Sequence, residues 1–190
     1  MEYYQEIILL PEPEISLRFL WTKVFTQLHL AFVSHKTADG DFPYAVSFPD
    51  YEGLKLGDKV RVFAKTEEEL NELGLEKMLE RLDDYVKLRS IRPVPSKKVK
   101  TYAVYRRQHQ ENSCTQKAKR YAKRHDISLD EAEKLINEKA DYINLPYIQM
   151  DSLTNHNRFC LFISKKELEQ PTDGKFTAYG LSTGATVPEF

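Results

Sequence analysis

Short aromatic and β-branched runs alternate along this chain with longer segments of helical periodicity. Tyr3 to Leu10 is such a run, stopped by Pro11 and Pro13, and predicts a strand. Leu17, Leu20, Trp21, Val24, Leu28 and Phe32 recur at helical spacing and predict an amphipathic helix from about Ser16 to Ser34. Asp39-Gly40 marks a loop. Tyr44 to Phe48, closed by Pro49, and the alternating Lys59 to Ala64 predict two further strands. Thr66 with Glu69 three residues later is a capping box, so a helical region follows to about Leu82, with a break near Gly74. Val86 to Val94 predicts a fourth strand. The order β-α-β-β-α-β is the split arrangement of ferredoxin-like folds, which does not by itself fix a function.

Pro93 to Ser96 reads as a boundary. Beyond it, Lys100 to Gln108 predicts a strand or extended linker carrying Arg106, Arg107 and Gln108. Ser113 to Arg124 reads as one basic helix. Ser128 to Glu131 is a second capping box, opening a helix to about Lys139. Tyr147 to Met150 and Arg158 to Ser164 predict strands joined by a polar turn, Asp151 to Asn157, and Phe176 to Leu181 predicts the last strand. The expected class is α+β: a ferredoxin-like (βαββαβ) domain over 1–94 and a C-terminal α+β domain over 95–190 carrying a basic helix at 113–124.

Composition supports a folded, water-facing chain. Its 190 residues suit one large domain or two small ones, and 41% apolar content with a mean hydropathy of −0.56 allows a real core. No apolar run is long enough to span a membrane, and the acidic N-terminus lacks the basic start of a signal peptide. Two cysteines, Cys114 and Cys160, make neither a disulfide framework nor a metal spacing. A cytoplasmic location is expected.

Charge changes the picture more. Residues 1–92 carry 12 Lys and Arg against 17 Asp and Glu, a net −5. Residues 93–125 carry 10 against 1, a net +9, and residues 126–190 carry 6 against 11, a net −5. An overall charge of −1 thus conceals one steeply basic segment between acidic flanks. On a helix, Lys117, Arg120 and Arg124 fall at i, i+3 and i+7, with Lys119 and Lys123 beside them at i and i+4. A solvated surface helix would have this composition too, but the concentration of charge favours a polyanion site.

Candidate chemistry is sparse. No His, Cys or Asp cluster has metal-ligand spacing, and no glycine-rich phosphate loop is present. Gly180-Leu181-Ser182-Thr183-Gly184 matches the nucleophile elbow of α/β-hydrolases, but no histidine follows it and the strand-turn-helix context is missing. Of the five histidines, His35, His109, His125 and His156 lie in polar or basic stretches. His29 lies at the edge of the apolar stripe of the first helix, where periodicity alone does not separate a structural role from a catalytic one.

Several phrases in fixed order carry a resemblance. Lys23-Val-Phe-Thr-Gln-Leu-His29-Leu-Ala31 lies on the first helix and Val46-Ser47-Phe48-Pro49-Asp50 closes the next strand. Lys123-Arg124-His125-Asp126 leads into the capped helix of Ser128 to Glu133. Leu145-Pro146-Tyr147-Ile148 precedes Ser152, and Arg158-Phe159-Cys160-Leu161-Phe162-Ile163 follows it. Tyr179-Gly180-Leu181-Ser182 and Val187-Pro188-Glu189-Phe190 close the chain. Together these resemble the type I-F CRISPR repeat-processing endoribonucleases along the whole length.

The resemblance implies a metal-independent ribonuclease that needs no cofactor, binds a CRISPR repeat hairpin and cuts at the 3′ base of its stem. Its catalytic positions fall on His29, Ser152 and Tyr179. The aromatic residue that stacks on the terminal base pair falls on Phe159, and a second hydroxyl near the cut falls on Thr154. The basic helix, with Lys117, Lys119, Arg120, Lys123 and Arg124, would lie in the major groove of the stem. Arg106, Arg107 and Gln108 would read base edges, with Arg107-Gln108-His109 as a competing register. His29 would take the proton of the ribose 2′-OH as this attacks the adjacent phosphorus, Ser152 would hold that hydroxyl in place, and a 2′,3′-cyclic phosphate would result. The product would stay bound, making the chain a partner of the other type I-F surveillance-complex subunits. Two departures stand out: the helix mixes Lys with Arg, which loses bidentate geometry, and the loop His35 to Pro43 has no assigned role. A hairpin-holding subunit without catalysis and a ferredoxin-like binder of single-stranded RNA are the competing readings.

Overall fold

The computed structural model describes residues 1–108, 114–137, 144–152 and 157–190, with side chains for all of these except 114–117 and 136–137. Its class is α+β with antiparallel sheets. The first strand, β1 (Tyr3–Leu9), leads into helix α1 (Leu17–Ser34), which begins where the Ser16 hydroxyl accepts from the Phe19 N–H. Strands β2 (Ala45–Ser47) and β3 (Lys59–Ala64) follow. Helix α2 (Glu67–Leu73) opens with the Thr66–Glu69 capping box, both halves formed, and ends at Gly74, whose left-handed φ of 61° turns the chain into α3 (Leu75–Leu79). A 3₁₀ segment, Glu80–Tyr85, completes the helical region.

Val86 to Val94 is not one strand. It divides into β4 (Val86–Leu88) and β5 (Arg92–Pro93), both antiparallel to β1. Leu88 pairs with Ile7 but Arg92 with Tyr4, so one residue more lies on the outer strand than on β1, which is a bulge. The sheet runs β2-β3-β1-β4, with β5 on the far half of β1.

A second sheet contains β6 (Thr101–Gln108), β7 (Tyr147–Asp151), β8 (Arg158–Leu168) and β9 (Val187–Glu189), in the order β7-β8-β6-β9. The last strand is thus Val187–Glu189 and not Phe176 to Leu181. Pro188 is tolerated because β9 is an edge, and Gly180, at a φ of 68°, bends the earlier segment out of any strand. Phe176 makes only isolated bridges, to Phe42 and Ser182.

Two compact units form: residues 1–107 with 145–190, and residues 108–144. They part at 107/108 and 144/145 rather than at 94/95. The reason lies in the larger unit, where one core joins Ile7, Val24, Phe25, Leu28, Phe32 and Phe63 to Tyr105, Leu161 and Ile163 of the second sheet. In the smaller unit α4 (Cys114–His125) packs against α5 (Leu129–Asn137), with Ala118 and Ala132 buried. Asp126 takes a left-handed φ of 54° and the Ile127 N–H reaches the Ala122 carbonyl at 3.2 Å, a Schellman end for α4. Ser128 caps α5 by accepting from Glu131 N–H at 3.2 Å.

Residues 176–182 are held on every side. Val46 N–H donates to Gly180 O at 3.0 Å, and Ser182 N–H to Tyr105 O at 2.9 Å. The loop that lacked a role in the sequence anchors this segment: Phe42 bridges Phe176, and Asp41 pairs with Lys175 at 2.7 Å. At Gly180 a Cβ would lie 2.8 Å from Val46 Cγ1 and 3.0 Å from Phe32 Cε2. Backbone conformation and packing both require glycine there. Gly180→Ala is expected to cost about 2–4 kcal/mol, the sum of left-handed strain and overpacking, read as a lower urea midpoint at unchanged m.

Candidate active site

Helix α1 buries Leu20, Trp21, Val24, Phe25, Leu28, Ala31 and Phe32. His29 stands beside this stripe, half-buried, and the packing of the stripe sets where its ring lies. His29 Nδ1 is 2.9 Å from the carbonyl oxygen of Ala178. A carbonyl only accepts, so Nδ1 carries the proton of this bond, and in the neutral ring Nε2 is left as an acceptor. The imidazole also stacks on Tyr179, with centroids 4.4 Å apart and planes 12° from parallel.

The 176–182 loop supplies both contacts. Thr177 N–H donates to Leu181 O and Gly180 N–H to Thr177 O, each at 2.8 Å. Ser182 is buried, and its hydroxyl donates to Lys175 O while accepting from the Gly184 and Ala185 N–H groups. The Gly-x-Ser-x-Gly phrase is therefore a structural pin of this loop, with its hydroxyl fully engaged.

Strand β6 brings a cation to the same place. The Tyr105 hydroxyl lies 3.1 Å from Phe48 O and 3.2 Å from a Glu189 carboxylate oxygen and shares its proton between them. Burial first, then the Glu189 charge, pushes this phenol well above the ordinary tyrosine range. Two residues on, the Arg107 guanidinium lies 5.4 Å from the Tyr179 ring centre and 5.2 Å from that of Phe159. His29 is thus stacked on Tyr179, and the Arg107 guanidinium lies within cation–π reach of both the Tyr179 and the Phe159 ring.

The other expected residues are placed as follows. Ser152 is half-buried directly after β7, its N–H bonded to Asn157 O at 2.9 Å. It stands two residues beyond Met150, the cross-strand partner of Phe159. No hydrogen bond joins Ser152 to His29 among the described residues. Arg106 is exposed and Gln108 half-buried at the end of β6. Of the two registers, Arg107 is the residue whose guanidinium reaches the Tyr179 and Phe159 rings. Lys119, Arg120, Lys123 and Arg124 are exposed on α4, and the side chain of Lys117, like the whole of Thr154, His109 and His156, lies outside the described residues. Among the described residues, no group of three His, Cys, Asp or Glu side chains is placed to hold a metal ion, and no helix is long and apolar enough to cross a membrane. The Ala178 carbonyl carries no side-chain signature, so no sequence pattern could have found it.

Comparison with known proteins bears on this site. Residues 4–190 match a family described as CRISPR-associated protein (Cas_Csy4). A CRISPR-associated endonuclease Cas6/Csy4 of Escherichia coli (strain UTI89 / UPEC) is 31% identical over 192 residues, covering 100% of both chains. Another protein of that name, from Pseudomonas aeruginosa (strain UCBPP-PA14), is 32% identical over 194 residues, again covering 100% of both. A solved CRISPR associated protein Cas6 aligns over 99% of this chain and 98% of its own at 12% identity, with a TM-score of only 0.35. Full-length similarity at this level, together with a family match over nearly every residue, means that the chain belongs to the CRISPR-associated Cas_Csy4 family.

Proposed function

We propose that this protein is a CRISPR RNA-processing endoribonuclease that works without a metal. It binds the repeat hairpin of the precursor and cuts at the 3′ base of the stem. The observation that carries this reading is the hydrogen bond from His29 Nδ1 to Ala178 O, which leaves Nε2 of the neutral ring as an acceptor. The 2′-OH of the ribose before the cut gives its proton to Nε2 as its oxygen forms a bond to the adjacent phosphorus. The bond from phosphorus to the 5′-oxygen breaks, that oxygen takes a proton from solvent and leaves as a 5′-hydroxyl, and a 2′,3′-cyclic phosphate remains. The nucleophile belongs to the substrate, so neither a bound water nor a metal is needed.

Tyr179 keeps the imidazole plane fixed through its stack, and Ser152 positions the 2′-OH. Phe159 stacks on the last base pair of the stem. Arg107, near the Phe159 and Tyr179 rings, offers its N–H groups to a base or phosphate. Arg106 and Gln108 contribute to base reading, and Thr154 supplies a second hydroxyl near the cut. Lys117, Lys119, Arg120, Lys123 and Arg124 of α4 hold the phosphates of the stem. The strand order β2-β3-β1-β4, with α1 between β1 and β2 and α2–α3 between β3 and β4, supports a ferredoxin-like N-terminal arrangement. Extensive hairpin contact favours slow product release. The protein therefore remains on the processed RNA as a subunit of the type I-F surveillance complex in the cytoplasm.

His29→Ala is expected to lower single-turnover cleavage of a repeat hairpin by about 10²–10⁴-fold while leaving hairpin affinity within about threefold. Unchanged cleavage by this variant would remove His29 from the chemistry. If α4 neutralises about five phosphates, the log–log salt dependence of hairpin binding should have a slope of roughly −4 to −5. Replacing Lys119, Arg120, Lys123 and Arg124 by serine should flatten that slope, and a slope near zero in the unaltered protein would remove the helix from the interface.

A further inference from the structure

A buried polar network is bonded to the loop that carries Ala178 and Tyr179, and the proposed chemistry uses none of its charges. Lys165 Nζ of β8 pairs with Glu189 Oε2 of β9 at 2.9 Å, and both side chains are only 13% exposed. The other Glu189 oxygen accepts from the Tyr105 hydroxyl of β6 at 3.2 Å, and Tyr105 is almost fully buried. The more exposed Glu167 also pairs with Lys165, at 2.9 Å. An ion pair so buried contributes little net stability, because loss of water offsets much of its attraction. Well-packed apolar side chains of similar volume do as well or better. Stability alone therefore does not account for these charges.

Their connections are specific. Tyr105 reaches the loop by two routes. Its carbonyl accepts from Ser182 N–H at 2.9 Å. Its hydroxyl also lies 3.1 Å from Phe48 O, and two residues before Phe48 the Val46 N–H donates to Gly180 O at 3.0 Å. Between these anchors the loop is closed by its own bonds, from Thr177 N–H to Leu181 O and from Gly180 N–H to Thr177 O. A shift at residue 180 or 182 therefore carries Ala178 and Tyr179 with it, and these are the groups that orient the His29 ring. Phe48 and Tyr51 pack edge-on against the Tyr105 ring, with centres 5.3 and 6.2 Å away, and set its plane. Its place within that plane depends on what the hydroxyl meets.

We propose that the Lys165–Glu189 pair is a positioning element for cleavage. It holds the Tyr105 hydroxyl, and through Tyr105 it sets the place of the loop that orients His29. This rests on the reading that His29 takes the 2′-OH proton. For that step Nε2 must stand within a hydrogen bond of the 2′-oxygen in its attack geometry, and a displacement of about 1 Å costs as much as 10²-fold in rate. Lys165, Glu189 and Tyr105 touch no reacting atom and act only through His29.

The test uses the full-length protein and a repeat hairpin. Cleavage is followed in a single turnover at saturating protein, and affinity is measured separately on a hairpin with 2′-deoxyribose before the cut. The paired replacement Lys165→Met/Glu189→Leu should leave the urea midpoint unchanged and hairpin affinity within about threefold, yet lower the cleavage rate about tenfold. Tyr105→Phe should lower the rate by a similar factor at similar affinity. Combining all three changes should cost little more than either variant alone, because they break one linkage. Unchanged cleavage by the folded paired variant would overturn the proposal, as would a loss of rate matched by an equal loss of affinity, or losses that multiply in the combination. If the paired variant does not fold, Tyr105→Phe decides: full cleavage by it overturns the proposal. Undiminished cleavage by His29→Ala would instead remove the reading beneath the proposal, and the proposal with it.

Discussion

The bond from His29 Nδ1 to the Ala178 carbonyl is the constraint on which the proposed chemistry depends. An imidazole free to choose its tautomer presents an acceptor at Nε2 only part of the time, and one free to rotate presents it in no fixed direction. Here a backbone acceptor sets the first and a parallel tyrosine ring sets the second. Much of the surrounding structure serves to keep that acceptor still. Gly180 lets residues 176–182 close onto Val46 and Phe32, Ser182 ties them from below, and the Phe42 bridge holds them from the side. A backbone carbonyl is a durable orienting group because no side-chain rotamer has to be frozen to place it.

Affinity and chemistry make different demands, and the chain divides them. The larger unit has an extensive apolar core, and His29 and Tyr179 stand at its edge beside the buried Leu28 and Gly180. Among its described residues the smaller unit is a helix pair, α4 and α5, with Lys119, Arg120, Lys123 and Arg124 of α4 exposed. Like charges on three turns of helix repel one another, which disfavours α4 in isolation and favours an anion beside it. Mixing Lys with Arg keeps this attraction and gives up part of the directional hydrogen bonding.

Much of the fold was legible in the sequence where local rules act. The cap at Thr66, the turn at Gly74 and the stripe of α1 all follow from short-range chemistry. The errors lie where distant contacts decide. The bulge that divides Val86 to Val94 comes from its register against β1, and Pro188 sits in a strand only because that strand is an edge. The boundary expected at Pro93 to Ser96 falls between the end of β5 and a short 3₁₀ turn and does not divide the core, since Tyr105 and Ile163 fill the same interior as Phe25 and Phe63. At the site, His29, Tyr179, Arg107 and Phe159 were named from residue phrases, whereas their stacking and the Ala178 bond join positions up to 150 residues apart in sequence.

In the proposed reaction the substrate's own 2′-hydroxyl, deprotonated at His29, breaks the chain. The most direct measurement is single-turnover cleavage of a repeat hairpin in EDTA, beside a copy lacking only the 2′-OH before the cut, with analysis of the new 3′ end. The first should be cut and end in a cyclic phosphate, while the second should be bound equally well and left intact. Cleavage of the deoxy copy, or loss of all cleavage in EDTA that added magnesium restores, would contradict it.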